Sequence, residues 1–144
     1  MAPLTENRST PQLAPADVRT GLLGASQTIY QGSLLMRNAS GHLIKGAVAT
    51  GSFGAGRAES SNVSVGAGVT VQPFREGVFR FANSSAGDLI ATANIGATCY
   101  IVDDQTVALT NGTNTRSPAG IIYDVDALGV WVRMDEALVR AALS

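Results

Sequence analysis

Hydrophobic and polar residues alternate along most of this 144-residue chain, in short runs separated by turn residues. Within residues 77–82, for example, Phe79 and Phe81 fall on one face of the run, and Val78 and Arg80 fall on the other. Successive side chains of a β-strand point to opposite faces of a sheet, so this period of two predicts strands rather than helices.

The same pattern recurs often enough to predict an all-β chain. The other predicted strands cover residues 28–36, 42–49, 89–91, 97–102, 106–109, 120–125 and 129–132. Residues 63–71 carry valines at even spacing around a Gly-Ala-Gly interruption, which predicts a strand with a bulge or a tight reversal. Many short strands with turns between them predict an antiparallel β-sandwich, most simply jelly-roll-like, over residues 21–144. Strands do not alternate with helices, which excludes a parallel α/β fold.

The two ends of the chain have different patterns. Residues 1–20 contain three of the five prolines and no pattern that could form a core, which predicts an extended N-terminal arm. Such a segment is either a disordered tail or an arm that orders on a neighbouring subunit, with Leu4 and Leu13 as anchors. Residues 135–143 predict a short C-terminal helix, in which Leu138 shares a face with Ala141 and Ala142.

Composition narrows the range of partners. Charged residues make up only 15% of the chain, so we expect part of its surface to be covered by other proteins. The net charge is −1, and nine of the ten basic residues are Arg, spread singly along the chain. Nucleic-acid binding requires a basic patch, so it is not expected. No signal peptide and no membrane-spanning segment are expected either.

Few residues suggest chemistry. His42 is the only histidine, and no Gly-x-Ser-x-Gly motif presents a nucleophile, so we expect no enzymatic activity. Cys99 is predicted to be a buried strand residue. Asp103, Asp104, Asp124 and Asp126 are explained by turns, or by pairing with Arg116; a calcium site is the weaker interpretation, and we expect no cofactor or metal.

A glycine-rich segment, residues 51–56, is not a phosphate-binding loop, because it lacks the Gly-Lys-Ser/Thr ending and no helix follows it. Its glycines predict a flexible loop with Phe53 at the centre. An aromatic side chain in such a loop either folds back onto the core or contacts a partner. The sequence leaves both possibilities open.

Three runs in the C-terminal half resemble the capsid cement (decoration) proteins of tailed phages. They are Tyr-Ile-Val-Asp-Asp-Gln-Thr-Val-Ala at 100–108, Thr-Arg-Ser-Pro-Ala-Gly at 115–120 and Asp-Val-Asp-Ala-Leu-Gly-Val-Trp-Val at 124–132. The resemblance is weaker over residues 18–49 and does not extend to residues 50–80. These runs are strand and turn motifs, without a chemical signature.

The resemblance implies a structural role. Proteins of this kind bind the outside of an assembled icosahedral head and clamp neighbouring major capsid subunits. It implies a protein made in the host cytoplasm and located on the outer surface of the virion, bound to the major capsid protein. We also expect self-association on the capsid, as a dimer, with a trimer as the alternative. The residues expected to make capsid or self-contacts are Leu4, Arg8, Leu13, Phe53, Arg116 and Leu138.

An alternative is a glycan-binding or host-attachment β-domain of a phage particle. Such a domain presents exposed aromatic rings to sugars. Trp131 is the only tryptophan and lies in an alternating Val-Trp-Val run, which predicts a core or interface position instead.

Overall fold

The computed structural model of the chain describes residues 5, 6, 8 and 18–142. The strands of this part of the chain are β1 (Val18–Leu22), β2 (Thr28–Ile29), β3 (Leu34–Arg37), β4 (Leu43–Lys45), β5 (Phe53–Ala58), β6 (Asn62–Val63), β7 (Val71–Arg75), β8 (Gly77–Phe81), β9 (Thr98–Ile101), β10 (Val107–Ala108), β11 (Pro118–Asp126) and β12 (Gly129–Met134). One helix, α1 (Glu136–Ala142), follows them. The strands pair antiparallel, which confirms the predicted all-β sandwich with a short C-terminal helix.

Two five-stranded sheets form the sandwich. The first has the order β1-β7-β5-β3-β4, and the second has the order β10-β9-β11-β12-β8. Strands β2 and β6 form a separate two-stranded ribbon. The chain therefore completes the first sheet before it enters the second. Successive strands of a jelly roll pass back and forth between two sheets, so the connections here are simpler than the predicted jelly-roll-like ones.

Strand β3 is buried on both faces. Leu34 and Met36 belong to the core between the two sheets, together with Phe81, Cys99, Ile101, Val107, Ala119, Ile122, Val130, Val132 and Met134. Leu35 points the other way, into a second cluster with Leu23, Ile29, Leu43, Ala55, Ala58 and Phe74. The first sheet therefore has a core on each side, and this explains the uninterrupted Leu-Leu-Met sequence of β3.

The predicted glycine loop at 51–56 is wrong, because Phe53–Ala58 is strand β5. A Cβ atom on Gly54 would lie 2.0 Å from the carbonyl oxygen of Ala119 on β11. Glycine is therefore required here so that the backbones of the two sheets can approach each other. The glycines allow close packing and do not indicate flexibility.

Other boundaries also differ from the predictions. The predicted strand 28–36 is two strands, β2 and β3, separated by a turn in which Gly32 has a φ of 91°. Residues 89–91 are not a strand and lie between two 3₁₀ turns, Ala86–Asp88 and Thr92–Asn94. Residues 18–20, which the proline pattern assigned to the arm, belong to β1 and pair with β7.

Helix α1 lies against β5 and β11 and packs through Val139, which is buried. Leu138 is 41% exposed and Ala141 is exposed as well, so the face that they share points to solvent and not to the sheet. The side chain of Asp135 caps the helix by accepting a hydrogen bond from the backbone N–H of Leu138 at 3.2 Å. Within the described residues, no helix is both long enough and apolar enough to cross a membrane.

Candidate interaction surface

The segment around residues 62–71 has its valines on the outside. Val65 is 86% exposed and Val69 is 75% exposed, and Val63 and Val71 are exposed as well. Leu22, which is the cross-strand partner of Val71, is also exposed. We call these five residues the valine face: Leu22, Val63, Val65, Val69 and Val71. Residues 64–70 lie between β6 and β7 and form no strand, so the predicted strand over residues 63–71 is found only at its two ends. All four of its valines are exposed to solvent.

Polar residues occupy the buried side of the same segment. Ser64 and Gln72 are buried. The hydroxyl of Ser64 donates to the carbonyl oxygen of Gly24 at 2.6 Å and accepts from the backbone N–H of Gln27 at 2.9 Å. The amide of Gln72 donates to the carbonyl oxygens of Ser60 and Pro73. Because these polar groups are hydrogen-bonded, burying them is tolerated and the valines are left outside.

The residues of the valine face are neighbours in the fold, because residues 62–71 run antiparallel to residues 22–29. Val63 pairs with Thr28 at one end, and Val71 pairs with Leu22 at the other. Between these pairs, the backbone N–H of Ser26 donates to the carbonyl oxygen of Val65 at 3.1 Å. Exposed aliphatic side chains that are contiguous, and not scattered singly, mark an interaction site.

The valine face adjoins a free sheet edge. Strand β1 is the last strand of the first sheet, and within the described residues it pairs only with β7. Directly after β1, the backbone N–H of Gly24 donates to the carbonyl oxygen of Leu43 on β4 at 2.8 Å, so this edge is closed at its C-terminal end. Over Val18–Leu22 the other side of β1 has no strand partner among the described residues, and a further strand can pair with it there. Val18 and Leu22 at its two ends are both exposed.

An ion-pair network holds β1 to the rest of the domain. Arg19 on β1 contacts both Glu136 and Glu76. Glu136 also accepts a hydrogen bond from Arg37 on β3 at 2.8 Å. The guanidinium groups of both arginines lie over the ring of Phe74, 5.4 and 5.8 Å from its centre. Through Arg19, the edge strand is therefore tied to Glu76, which lies between β7 and β8, and to Glu136 at the start of α1.

The predicted contact residues lie in different places. Leu4 and Leu13 are outside the described residues, and Arg8 is exposed. Phe53 is only 7% exposed, and its ring packs under Arg140 of α1 at 5.2 Å, so of the two possibilities the core is the one observed. Leu138 is exposed on the same helix. The valines at 63–71 were predicted as a strand and not as a contact surface. Their even spacing was the sequence feature that drew attention to them.

Arg116 is mostly buried and pairs with Asp88, at 3.1 Å between Nη1 and Oδ2. The pKa of Asp88 is held below its ordinary range, first by the hydrogen bond from the Thr110 hydroxyl and then by Arg116. The predicted pairing of Arg116 with the aspartates at 103, 104, 124 or 126 is therefore wrong. Asp88 was missed because it is distant from Arg116 in sequence, at the end of the 3₁₀ turn Ala86–Asp88.

The other candidate chemical groups have structural roles. Asp126 accepts a hydrogen bond from the indole N–H of Trp131 at 2.8 Å, and this bond lowers the pKa of Asp126. The ring of Trp131 is partly exposed and lies 5.5 Å from the guanidinium carbon of Arg80. Cys99 is buried as predicted, and burial raises its pKa to about 12. Among the residues that the structure describes, no three His, Cys, Asp or Glu side chains form a metal-binding group.

No family model, curated protein or solved structure matches this chain. Its most distinctive feature is the valine face beside the free edge of β1. This arrangement is suited to binding another protein, since it combines apolar area with unpaired backbone groups.

Proposed function

We propose that this chain is a structural decoration (cement) protein that binds the outer surface of an icosahedral phage head and clamps neighbouring major capsid subunits. The observation that carries the proposal is the valine face, in which five aliphatic side chains are exposed along one strip. Covering each of them with a partner stabilises a complex by roughly 1 kcal/mol. The resemblance of residues 100–132 to cement proteins supports the same role.

The free edge of β1 supplies the second half of the proposed contact. An extended segment of the capsid protein that paired with β1 would gain main-chain hydrogen bonds without needing particular side chains. Residues of the valine face would then give the contact its apolar centre. Each molecule bridges subunits that are already assembled, so modest individual contacts add up through effective concentration.

The proposal extends to assembly and location. The protein would be made in the host cytoplasm and would act on the virion surface, with the major capsid protein as its partner. On the capsid it would form a dimer, with a trimer as the alternative, because local symmetry axes bring copies together. Capsid reconstruction distinguishes these states by density on two-fold or on three-fold axes, and isolated monomers would contradict both.

Co-sedimentation with capsids that lack the protein tests the proposed function. The double variant Val65→Ser, Val69→Ser should bind capsids about thirtyfold more weakly than the original chain. Val48→Ser changes an exposed valine outside the valine face and serves as the matched control. Equal binding by the double variant and the control would contradict the role of the valine face, and failure of the original chain to sediment would contradict the proposed function.

Removal of residues 1–17 tests the proposed arm, most of which lies outside the described residues. The truncated chain should keep its melting temperature, because β1 begins only at Val18. It should bind capsids more weakly, since proline-rich segments lose little entropy when they dock. Saturation of capsids at an unchanged concentration would show that the segment contributes nothing to attachment.

A further inference from the structure

A groove of about 270 Å³ lies at the end of the sandwich that carries the β10–β11 loop. Its walls come from three parts of the chain that are distant in sequence. They are the turn before β5, the strand β9 and the loop that leads into β11, which contribute Thr50, Gly51, Ser52, Thr98, Tyr100, Asn111, Asn114, Arg116, Ser117 and Pro118. The groove is on a different part of the surface from the valine face, and neither set of residues includes a member of the other.

Hydrogen-bonding groups in this groove lack protein partners. The side-chain hydroxyls of Thr98 and Tyr100 make no hydrogen bond to the described part of the protein. Groups of this kind are satisfied by water or by a ligand that offers the same donors and acceptors.

The residues that line the groove carry almost no net charge. Arg116 is its only charged side chain, and that charge is already paired with Asp88. The remaining polar groups are hydroxyls and amides, which both donate and accept hydrogen bonds. A neutral ligand with several hydroxyl groups fits such a lining better than a carboxylate or a phosphate, because an anion would find no free cation to pair with.

The loop that contributes Asn111 and Asn114 is held in an uncommon conformation. Gly112, Thr113 and Asn114 have φ angles of 63°, 60° and 64°. The two asparagine side chains are joined by a hydrogen bond of 3.0 Å from Nδ2 of Asn111 to Oδ1 of Asn114. The left-handed conformation is strained for a β-branched residue such as Thr113, and such strain is found where a loop positions groups for binding.

We propose that this groove binds a neutral saccharide unit. Sugar hydroxyls would bond to the unpartnered hydroxyls of Thr98 and Tyr100 and to the amide of Asn114. The ring of Tyr100 would supply apolar surface for the C–H groups of the sugar. A groove of this size admits one monosaccharide, which should bind with a Kd on the order of 1 mM. This activity is separate from capsid attachment, since it uses none of the valine face.

Saturation-transfer NMR on the full chain tests the proposal. The probes are glucose, galactose, mannose and N-acetylglucosamine, with glucuronate and free glutamate as carboxylate probes. At least one neutral sugar should give a saturable signal. Thr98→Val and Tyr100→Phe each remove one hydroxyl with little change of shape, and each should weaken binding roughly threefold to tenfold. Tyr123→Phe removes the hydroxyl of an exposed tyrosine that does not line the groove, and it should leave binding unchanged.

Three results would overturn the proposal. The first is the absence of binding by every neutral sugar in the panel, and the second is binding of the carboxylate probes alone. The third is a sugar signal that Thr98→Val and Tyr100→Phe leave unchanged in variants whose melting temperatures match that of the original chain. None of these results bears on capsid co-sedimentation, so failure of the saccharide site and failure of the proposed function are distinguishable.

Discussion

Arg37 on β3 donates a hydrogen bond of 2.8 Å from Nε to Oε1 of Glu136 at the start of α1, across 99 residues of sequence. Both side chains are largely buried, at 18% and 12% exposure. The other carboxylate oxygen of Glu136 contacts Arg19 on the edge strand. One carboxylate therefore joins the C-terminal helix to two strands of the first sheet.

Removing that carboxylate should destabilise the whole domain. Glu136→Ala leaves Arg37 without its carboxylate partner, and we expect the free energy of unfolding to fall by about 2 kcal/mol. Asp124→Asn is the control, because among the described residues the side chain of Asp124 bonds only to the neighbouring backbone N–H of Val125. The control should stay within about 0.5 kcal/mol of the original chain. Urea denaturation measures both, and equal effects would contradict the role of Glu136.

In residues 62–72 polar side chains are buried and valines are exposed, so replacing a serine should destabilise the protein more than replacing a valine. Ser64→Ala should cost about 1–2 kcal/mol, because it leaves the N–H of Gln27 and the carbonyl of Gly24 without their side-chain partner. Val65→Ser, at the next residue, should change stability by less than about 0.5 kcal/mol, since its side chain is exposed. Thermal melting of both variants checks the order, and a larger loss for Val65→Ser would show that the valines are buried in the folded protein.

The close approach of the two sheets at Gly54 should not tolerate a methyl group. Gly54→Ala places Cβ against the carbonyl oxygen of Ala119, so we expect a loss of about 3 kcal/mol or failure to fold. Gly66→Ala is the matched control, because a Cβ atom there meets nothing within 4 Å. If the yield and melting temperature of the two variants agree, the packing of β5 on β11 is not as close as described.

Cys99 should be unreactive while the protein is folded. Its pKa is raised to about 12 by burial, so the thiolate that reacts with iodoacetamide is nearly absent at pH 8. Labelling should occur only in denaturant, and mass spectrometry measures it. Between pH 9 and pH 12 the thiol of Cys99 stays protonated in the folded protein, whereas in the unfolded chain, with a pKa of 9.0, it ionises. The free energy of unfolding should therefore fall as the pH rises from about 9 towards 12. Rapid labelling of the native protein at pH 8 would contradict burial.

Trp131 should report the ionisation of Asp126, because it is the only tryptophan and its indole N–H bonds to that carboxylate. The hydrogen bond lowers the pKa of Asp126, so the fluorescence change on acidification should have a midpoint below the ordinary pKa of aspartate. A group with a lowered folded pKa contributes stability above its unfolded pKa and loses it as the pH falls. Asp126→Asn should abolish the titration, and a titration that persists in this variant would assign it to another group.

Several features could be predicted from the sequence because they depend on local pattern. The period of two predicted the sandwich, and the hairpin of β11 and β12 was predicted nearly to its ends. The apolar neighbours of Cys99 predicted its burial, and Asp135 was predicted at the beginning of α1. Each of these features is determined by residues within about one strand length of each other.

Other features were decided only by the tertiary structure, because they depend on contacts between residues that are distant in sequence. Even spacing predicted a strand through the valines of residues 63–71, but residues 64–70 form none. The hydrogen bonds of Ser64 and Gln72 to distant parts of the chain bury the polar side chains and leave the valines exposed. The glycines at 51–56 predict a flexible loop from the sequence alone. Only the packing of β11 against Gly54 shows that glycine is needed there for close approach of the backbones. The pairing of Arg116 with Asp88, and the groove beside it, likewise need the fold. A period in the sequence defines the two sides of a strand, whereas the partner that covers one of them is chosen by long-range packing.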